Sequence, residues 1–241
     1  MQSSSPVLLK SPFPVLLTGK ISERSRFSSD FTLGALAGIT VWHDYICPWC
    51  WVGWIHAERL KKEYGVSIDW RGAELLPEGY VSKPSKVPAP KAPAGPSRFD
   101  LFLEAEGIEL ATPRPKFVRS HNALIGAEAA LIHLGIEAQA AYHEAVYRAY
   151  WERHADISKV EVLVKLAKAA GLDSEPIADS ILMDRYEAHV LPFDDGAYSA
   201  GIRHVPTFLF GGADRLAEAN YTDLARATER FLVRREKFFP V

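Results

Sequence analysis

Cysteine and methionine are scarce in this sequence, with two residues of each among 241. So few cysteines exclude a scaffold stapled by disulfides. With no second cysteine pair, a four-cysteine zinc site is excluded as well. A Cys2His2 site would need His43 and another histidine, but no His-x3–5-His pair is present. No charge of one sign dominates, since 28 Lys and Arg stand against 30 Asp and Glu, for a net charge of −2. That balance argues against nucleic acid or a membrane surface as partner. The 48% hydrophobic content argues against a disordered chain. No stretch has the length of a membrane span.

No secretory leader is expected from the first residues. Val7-Leu8-Leu9 and Val15-Leu16-Leu17 are apolar, but Pro6, Pro12 and Pro14 interrupt them. The one longer candidate, Phe31 to Trp42, includes a predicted strand that cleavage would remove. Met1 to Ala37 is serine-rich and without sustained periodicity. It reads as a disordered, dispensable extension to a cytosolic protein, with a start codon assigned too early or a transit peptide as the alternatives.

The two cysteines that are present stand three residues apart, as Cys47-Pro48-Trp49-Cys50. Random placement gives that spacing roughly once in 120. Ile39-Thr40-Val41-Trp42 before them reads as a β-branched and aromatic strand, and Trp51 to Tyr64 after them as a helix stopped by Gly65. Pro48 suits the first helical turn, where no N–H donor is needed. The unpaired N–H groups and the positive end of the helix dipole favour an anion there, so Cys47 is expected to be the nucleophilic thiolate. Cys50, one turn on, is placed to resolve a mixed disulfide formed at Cys47. A structural disulfide closing so short a loop would stabilise little. The spacing supports a dithiol–disulfide couple.

Further along, Val66 to Arg71 alternates apolar and polar residues and reads as a second strand, parallel to the first across a βαβ unit. Residues 77–96 form a proline-rich loop within a region of about 38–96. From Ser97 to Arg185 the pattern is helical. Five segments are expected: one from Ser97 to Gly107, one from Ser120 to Gly135, one over Ala138 to Trp151, one opened by a Ser158-x-x-Glu161 capping box, and one starting at Asp173-Ser-Glu-Pro176. Pro192 is expected to divide a bent helical stretch from a short helix reaching Ala200, with Gly201 as its cap. Val205 to Phe210 then reads as a strand, Gly211-Gly212 as a turn, Arg215 to Glu218 as a partner strand and Tyr221 to Phe231 as the closing helix. Trp42 and one of Trp51 and Trp54 are expected in the core, and Trp49 partly exposed at the site.

The order of elements, with Asp44-x-x-Cys47-Pro48-Trp49-Cys50-x-x-Gly53 and Gly201-Ile202-x-x-Val205-Pro206-Thr207-Phe208, resembles the DsbA family of thioredoxin-like proteins, in particular its FrnE-type branch. The resemblance covers about Gly38 to Val241. It implies an α/β thioredoxin-like fold from 38–96 and 186–241, with a helical domain of 97–185 inserted between the N-terminal βαβ and C-terminal ββα units. It also implies a cis proline at Pro206 facing the dithiol and Val205 offering its backbone to an extended substrate segment. Trp49 would add an apolar contact. The implied partners are protein or small-molecule thiols and disulfides. No cofactor or metal is implied beyond the redox-active disulfide, and glutathione is a candidate co-substrate. Two departures stand out. The buried acid that the family carries six residues before the nucleophile is Val41 here. His43 and Asp44 are closer, but strand alternation puts them on opposite faces, so at most one is expected to assist. His204, before Val205, is read either as a stabiliser of the Cys47 thiolate or as a plain surface histidine.

Three functions compete. The first is a thiol–disulfide oxidoreductase using Cys47 and Cys50. The second is a glutathione-dependent isomerase or transferase of the 2-hydroxychromene-2-carboxylate isomerase type, a group that usually has serine at the first cysteine position and lacks the second. The third is a non-enzymatic binding protein. Both cysteines being kept favours the first.

Overall fold

The computed structural model describes residues 38–79 and 95–238. The expected N-terminal extension and most of the proline-rich loop lie outside the described residues. The sheet has five strands in the order β3-β2-β1-β4-β5, where β1 is Ile39–His43, β2 Ile68–Glu74, β3 Leu191–Pro192, β4 Thr207–Phe210 and β5 Asp214–Ala217. β1 runs parallel to β2 and antiparallel to β4, so both strands expected from the sequence flank it in one sheet. Pairing of Val41 with Trp70 and with Phe208 puts Ile39, Val41, His43, Ile68, Trp70, Phe208 and Phe210 on one face. These residues are all buried.

The helices that cover this face explain their own limits. Helix α1, Pro48–Tyr64, ends where Gly65 takes the left-handed conformation (φ 63°) and returns its N–H to Lys61 O. Helix α2, Arg98–Glu106, opens with a reciprocal capping box between Ser97 and Asp100. Helices α3 (His121–Leu134), α4 (Ile136–Arg153), α5 (Val160–Ala169) and α6 (Glu175–Leu182) follow before β3. The face of α4 carrying Tyr142, Val146, Ala149 and Tyr150 is fully buried, as its periodicity requires. Helix α7 is Asp195–Ser199, and α8, Tyr221–Phe238, closes the chain. Sheet residues, α1 and the α3–α6 bundle share one continuous apolar core.

Three local expectations are corrected. Pro192 does not interrupt a helix: Leu191–Pro192 pairs in parallel with Ala73 and Glu74 as a short edge strand, a position where a missing N–H is tolerated. Ser158 does not cap α5. Its N–H and hydroxyl go to Asp156 Oδ1 at 3.2 and 2.5 Å, and the helix begins after Lys159. An Asx turn has outcompeted the cap. Finally, Trp51 and Trp54 are both buried, stacked at 5.1 Å between ring centroids.

Helix α1 passes close to Pro206 and Phe208 at Gly53. A Cβ there would stand 2.8 Å from Pro206 Cγ and 3.6 Å from Phe208. Gly53→Ala should therefore lower stability by about 1–3 kcal/mol through overpacking. Urea melts check this, and an unchanged midpoint would show that the helix seats itself by other contacts.

Candidate active site

The end of β1 delivers the dithiol segment. After His43 the chain turns through Asp44-Tyr45-Ile46, closed by a 3.2 Å bond from Cys47 N–H to Asp44 O. Cys47 is the N-cap of α1, in extended conformation (φ −79°, ψ 121°), with Pro48 next in the first turn. Its carbonyl accepts the N–H of Cys50 at 3.0 Å and of Trp51 at 3.1 Å. Both thiols are free. Cys47 is 6% exposed and Cys50 is 0% exposed. The Cys47 thiol donates to Val205 O at 3.4 Å, which brings the two sequence landmarks together. The Val205–Pro206 bond is cis. Cys50 Sγ accepts the backbone N–H of Asp44 at 3.5 Å, while burial pushes its thiol well up.

Of the two candidate assistants, His43 is ruled out as a cation. Its ring is fully buried and its Nδ1 bonds Tyr147 OH at 2.8 Å; desolvation lowers it to about 3, so it is neutral at physiological pH. Asp44 is the residue that touches the site. Its Oδ1 accepts from Ile46 N–H at 3.2 Å and its Oδ2 from Leu75 N–H at 2.7 Å, and burial raises it to about 6. His204 is exposed, with Nδ1 3.8 Å from Glu218 Oε1. Its carbonyl accepts the Thr207 hydroxyl at 2.6 Å.

Trp49 is half-buried, because α2 lies against it. Phe99 and Phe102 stand 4.8 and 4.7 Å from its ring, with the Arg98 guanidinium 5.0 Å above it. A 3.0 Å His56–Glu106 pair ties α2 to α1, and Glu106 also takes the N–H of Tyr221 at the start of α8. Only part of Trp49 is left for a ligand to reach.

Sequence reasoning missed the layer beneath the thiols. Tyr45 OH bonds His143 Nδ1 at 2.6 Å, and Trp151 Nε1–H donates to Tyr45 O at 2.9 Å. These partners are about a hundred residues apart in the chain, and no local pattern joins them. Helical periodicity marked the neighbours Tyr142, Val146 and Tyr150 but passed over Tyr147. Among the described residues no group of three His, Cys, Asp or Glu is arranged to hold a metal.

The family described as DSBA-like thioredoxin domain matches residues 38–227. A relative from Bacillus subtilis (strain 168), the uncharacterized protein YwbO, is 27% identical over 188 residues, covering 72% of this chain and 86% of its own. Two solved structures share the fold. The cytosolic disulfide reductase DsbM from Pseudomonas aeruginosa with GSH superposes with TM-score 0.58 at 18% identity, over 83% of this chain and 99% of that one. A 2-hydroxychromene-2-carboxylate isomerase superposes with TM-score 0.56 at 20% identity, over 83% and 98%.

The buried neutral histidine has a consequence for acid stability. His43 is held at about 3 when folded and returns to its ordinary 6.5 when unfolded. Between those values the unfolded chain binds the extra proton, so stability falls as pH drops below 6.5. The contribution is at most about 1.4 kcal/mol per pH unit. His43→Gln, which cannot take that proton, should lose stability less steeply than the wild type in urea melts between pH 6.5 and 5. Parallel slopes would show that His43 is protonated in the folded protein.

Proposed function

This chain belongs to the DSBA-like thioredoxin domain family, and from that premise we propose that it is a thiol–disulfide oxidoreductase with Cys47 as nucleophile and Cys50 as resolving thiol. What carries this reading is the asymmetry of the pair: one thiol at the helix N-cap beside the Val205 carbonyl, the other fully enclosed one turn behind it. Cys47 as thiolate attacks one sulfur of a substrate disulfide, and the other substrate sulfur leaves with the electron pair and takes a proton. Cys50 then attacks Cys47 Sγ, the Cys47–substrate bond breaks, and the second substrate thiol departs. The substrate disulfide has gained two electrons and the Cys47–Cys50 pair has lost them. Run backwards, the same steps oxidise a substrate dithiol.

Substrates on this reading are protein or small-molecule disulfides, with Val205 and the open part of Trp49 as the contacts nearest Cys47. Glutathione is the proposed co-substrate, since a protein of the same fold is described with GSH bound. The Asp44-x-x-Cys-Pro-Trp-Cys-x-x-Gly53 setting supports a place in the FrnE-type branch. A cytosolic setting is supported by the sparing use of cysteine, and among the described residues no helix is long and apolar enough to cross a membrane.

Substitution of each cysteine separates the roles. Cys50→Ser should accumulate a covalent adduct with substrate at a rate within about threefold of the wild-type first step, because Cys50 takes part only afterwards. Cys47→Ser should trap nothing, and turnover should fall to background. Non-reducing gels and intact-mass measurement check both. Adducts carried by Cys50 would sink the assignment of roles. An isomerase of the 2-hydroxychromene-2-carboxylate type needs no second thiol, so undiminished catalytic activity in Cys50→Ser would favour that reading instead.

A further inference from the structure

The loop between β1 and α1 is tied down far more heavily than a four-residue turn requires. Asp44 contributes three of the ties. Its Oδ1 takes Ile46 N–H (3.2 Å), its Oδ2 takes Leu75 N–H (2.7 Å) across the gap to the end of β2, and its own N–H points at Cys50 Sγ (3.5 Å). A fourth tie comes from α4, where Trp151 Nε1–H donates to Tyr45 O at 2.9 Å. Asp44 is 0% exposed. A carboxylate enclosed to that degree is costly unless its oxygens are hydrogen-bonded, and the donors it has found are the main-chain groups that fix this loop.

The geometry points to Asp44 as the positioning residue for the resolving step: its carboxylate and Trp151 together hold the loop so that the Asp44 N–H faces the sulfur of Cys50 as that sulfur becomes anionic. The inference rests on the dithiol reading above. In the resolving step the Cys50–Cys47 S–S bond forms as the Cys47–substrate S–S bond breaks. The electron pair leaves on the substrate sulfur, and the proton given up by Cys50 passes to that sulfur or to water. Charge therefore develops on a sulfur with no solvent around it, where a fixed N–H dipole has its largest effect. Burial and Cys47 raise Cys50 most, the Asp44 N–H lowers it, and the negative charge of Asp44 adds the smallest push upward. Position and charge thus make opposite claims on the rate, and this makes the inference testable.

The probe is 5,5′-dithiobis(2-nitrobenzoate) with the reduced full-length protein at neutral pH, followed by stopped flow. Attack by Cys47 releases a first thionitrobenzoate, and attack by Cys50 on the resulting mixed disulfide releases a second. In Asp44→Asn the new NH2 group faces a main-chain donor, so one tie is lost along with the charge. The first phase should stay within about threefold of wild type and the second should slow about tenfold, the scale of one hydrogen bond to a charged group. Trp151→Phe removes the fourth tie and keeps the Asp44 charge, and its second phase should slow as well. A second phase that is faster in Asp44→Asn, with Trp151→Phe unchanged, would mean that Asp44 acts through charge alone and would overturn the inference. An unchanged second phase in both variants would overturn it too. Equal slowing of both phases, with a lowered melting temperature, would assign Asp44 to folding only. Wild-type protein that releases no second thionitrobenzoate would instead overturn the dithiol reading itself.

Discussion

The seat of α1 on the cis-proline loop sets the reach of the first thiol. Gly53 lets the helix come so close to Pro206 that a methyl group would not fit between them. Cys47 is the N-cap of the helix that carries Gly53, so the seating of Gly53 also bears on where Cys47 stands relative to Val205. From there the Cys47 thiol donates to the Val205 carbonyl at 3.4 Å. An apolar contact at the middle of a helix thus bears on a polar contact at its end. The arrangement is stiff because both sides of it are ring or backbone atoms.

Below the thiols the core is aromatic and polar at once. His43 meets Tyr45, Trp70 and His143 edge-on at 4.9–5.0 Å between ring centroids. The two tyrosine hydroxyls pair with the two imidazoles, which satisfies most of the polar atoms taken out of water. Burial keeps both histidines neutral. The layer therefore brings no positive charge to the thiols above it. Under the proposed chemistry, an anionic sulfur must be held by dipoles: at Cys47 by the positive end of the α1 dipole, and at Cys50 by the N–H of Asp44.

What was legible in the sequence was what local rules decide. The strand before the cysteines, the Gly65 stop, the Ser97-to-Gly107 helix and the Gly211-Gly212 turn each depend on a few neighbouring residues, and each is where the sequence put it. Leu191–Pro192 failed because a two-residue strand has no periodicity; only β2, more than a hundred residues earlier, makes it one. Ser158 failed because Asp156 offered its N–H a nearer acceptor. At the site, the sequence marked the cysteines, Val205 and Pro206, and the contact between Cys47 and Val205 brings these landmarks together. It could not assign Asp44 because strand alternation stops at the end of β1. Past His43 the chain turns, and the next side chain is held by the N–H of Ile46 and by that of Leu75, just past the end of β2.

Position 41, where the resemblance to thioredoxins and DsbA implies a buried acid, is a fully buried valine. The carboxylate nearest the pair is instead on Asp44, and both its oxygens are held by main-chain donors. Burial nevertheless raises Asp44 to about 6, so it accepts a proton more readily than an exposed carboxylate although both oxygens are engaged. Ionisation of Cys50 is opposed first by burial, then by Cys47, and least by the charge of Asp44. Under the proposed chemistry, Cys50 stays a thiol while Cys47 attacks, and it gains a reason to ionise only when Cys47 has become part of a disulfide, no longer bears a charge, and presents an electrophilic sulfur one turn away. On that reading, the order of the two steps follows from burial and charge around a single enclosed sulfur.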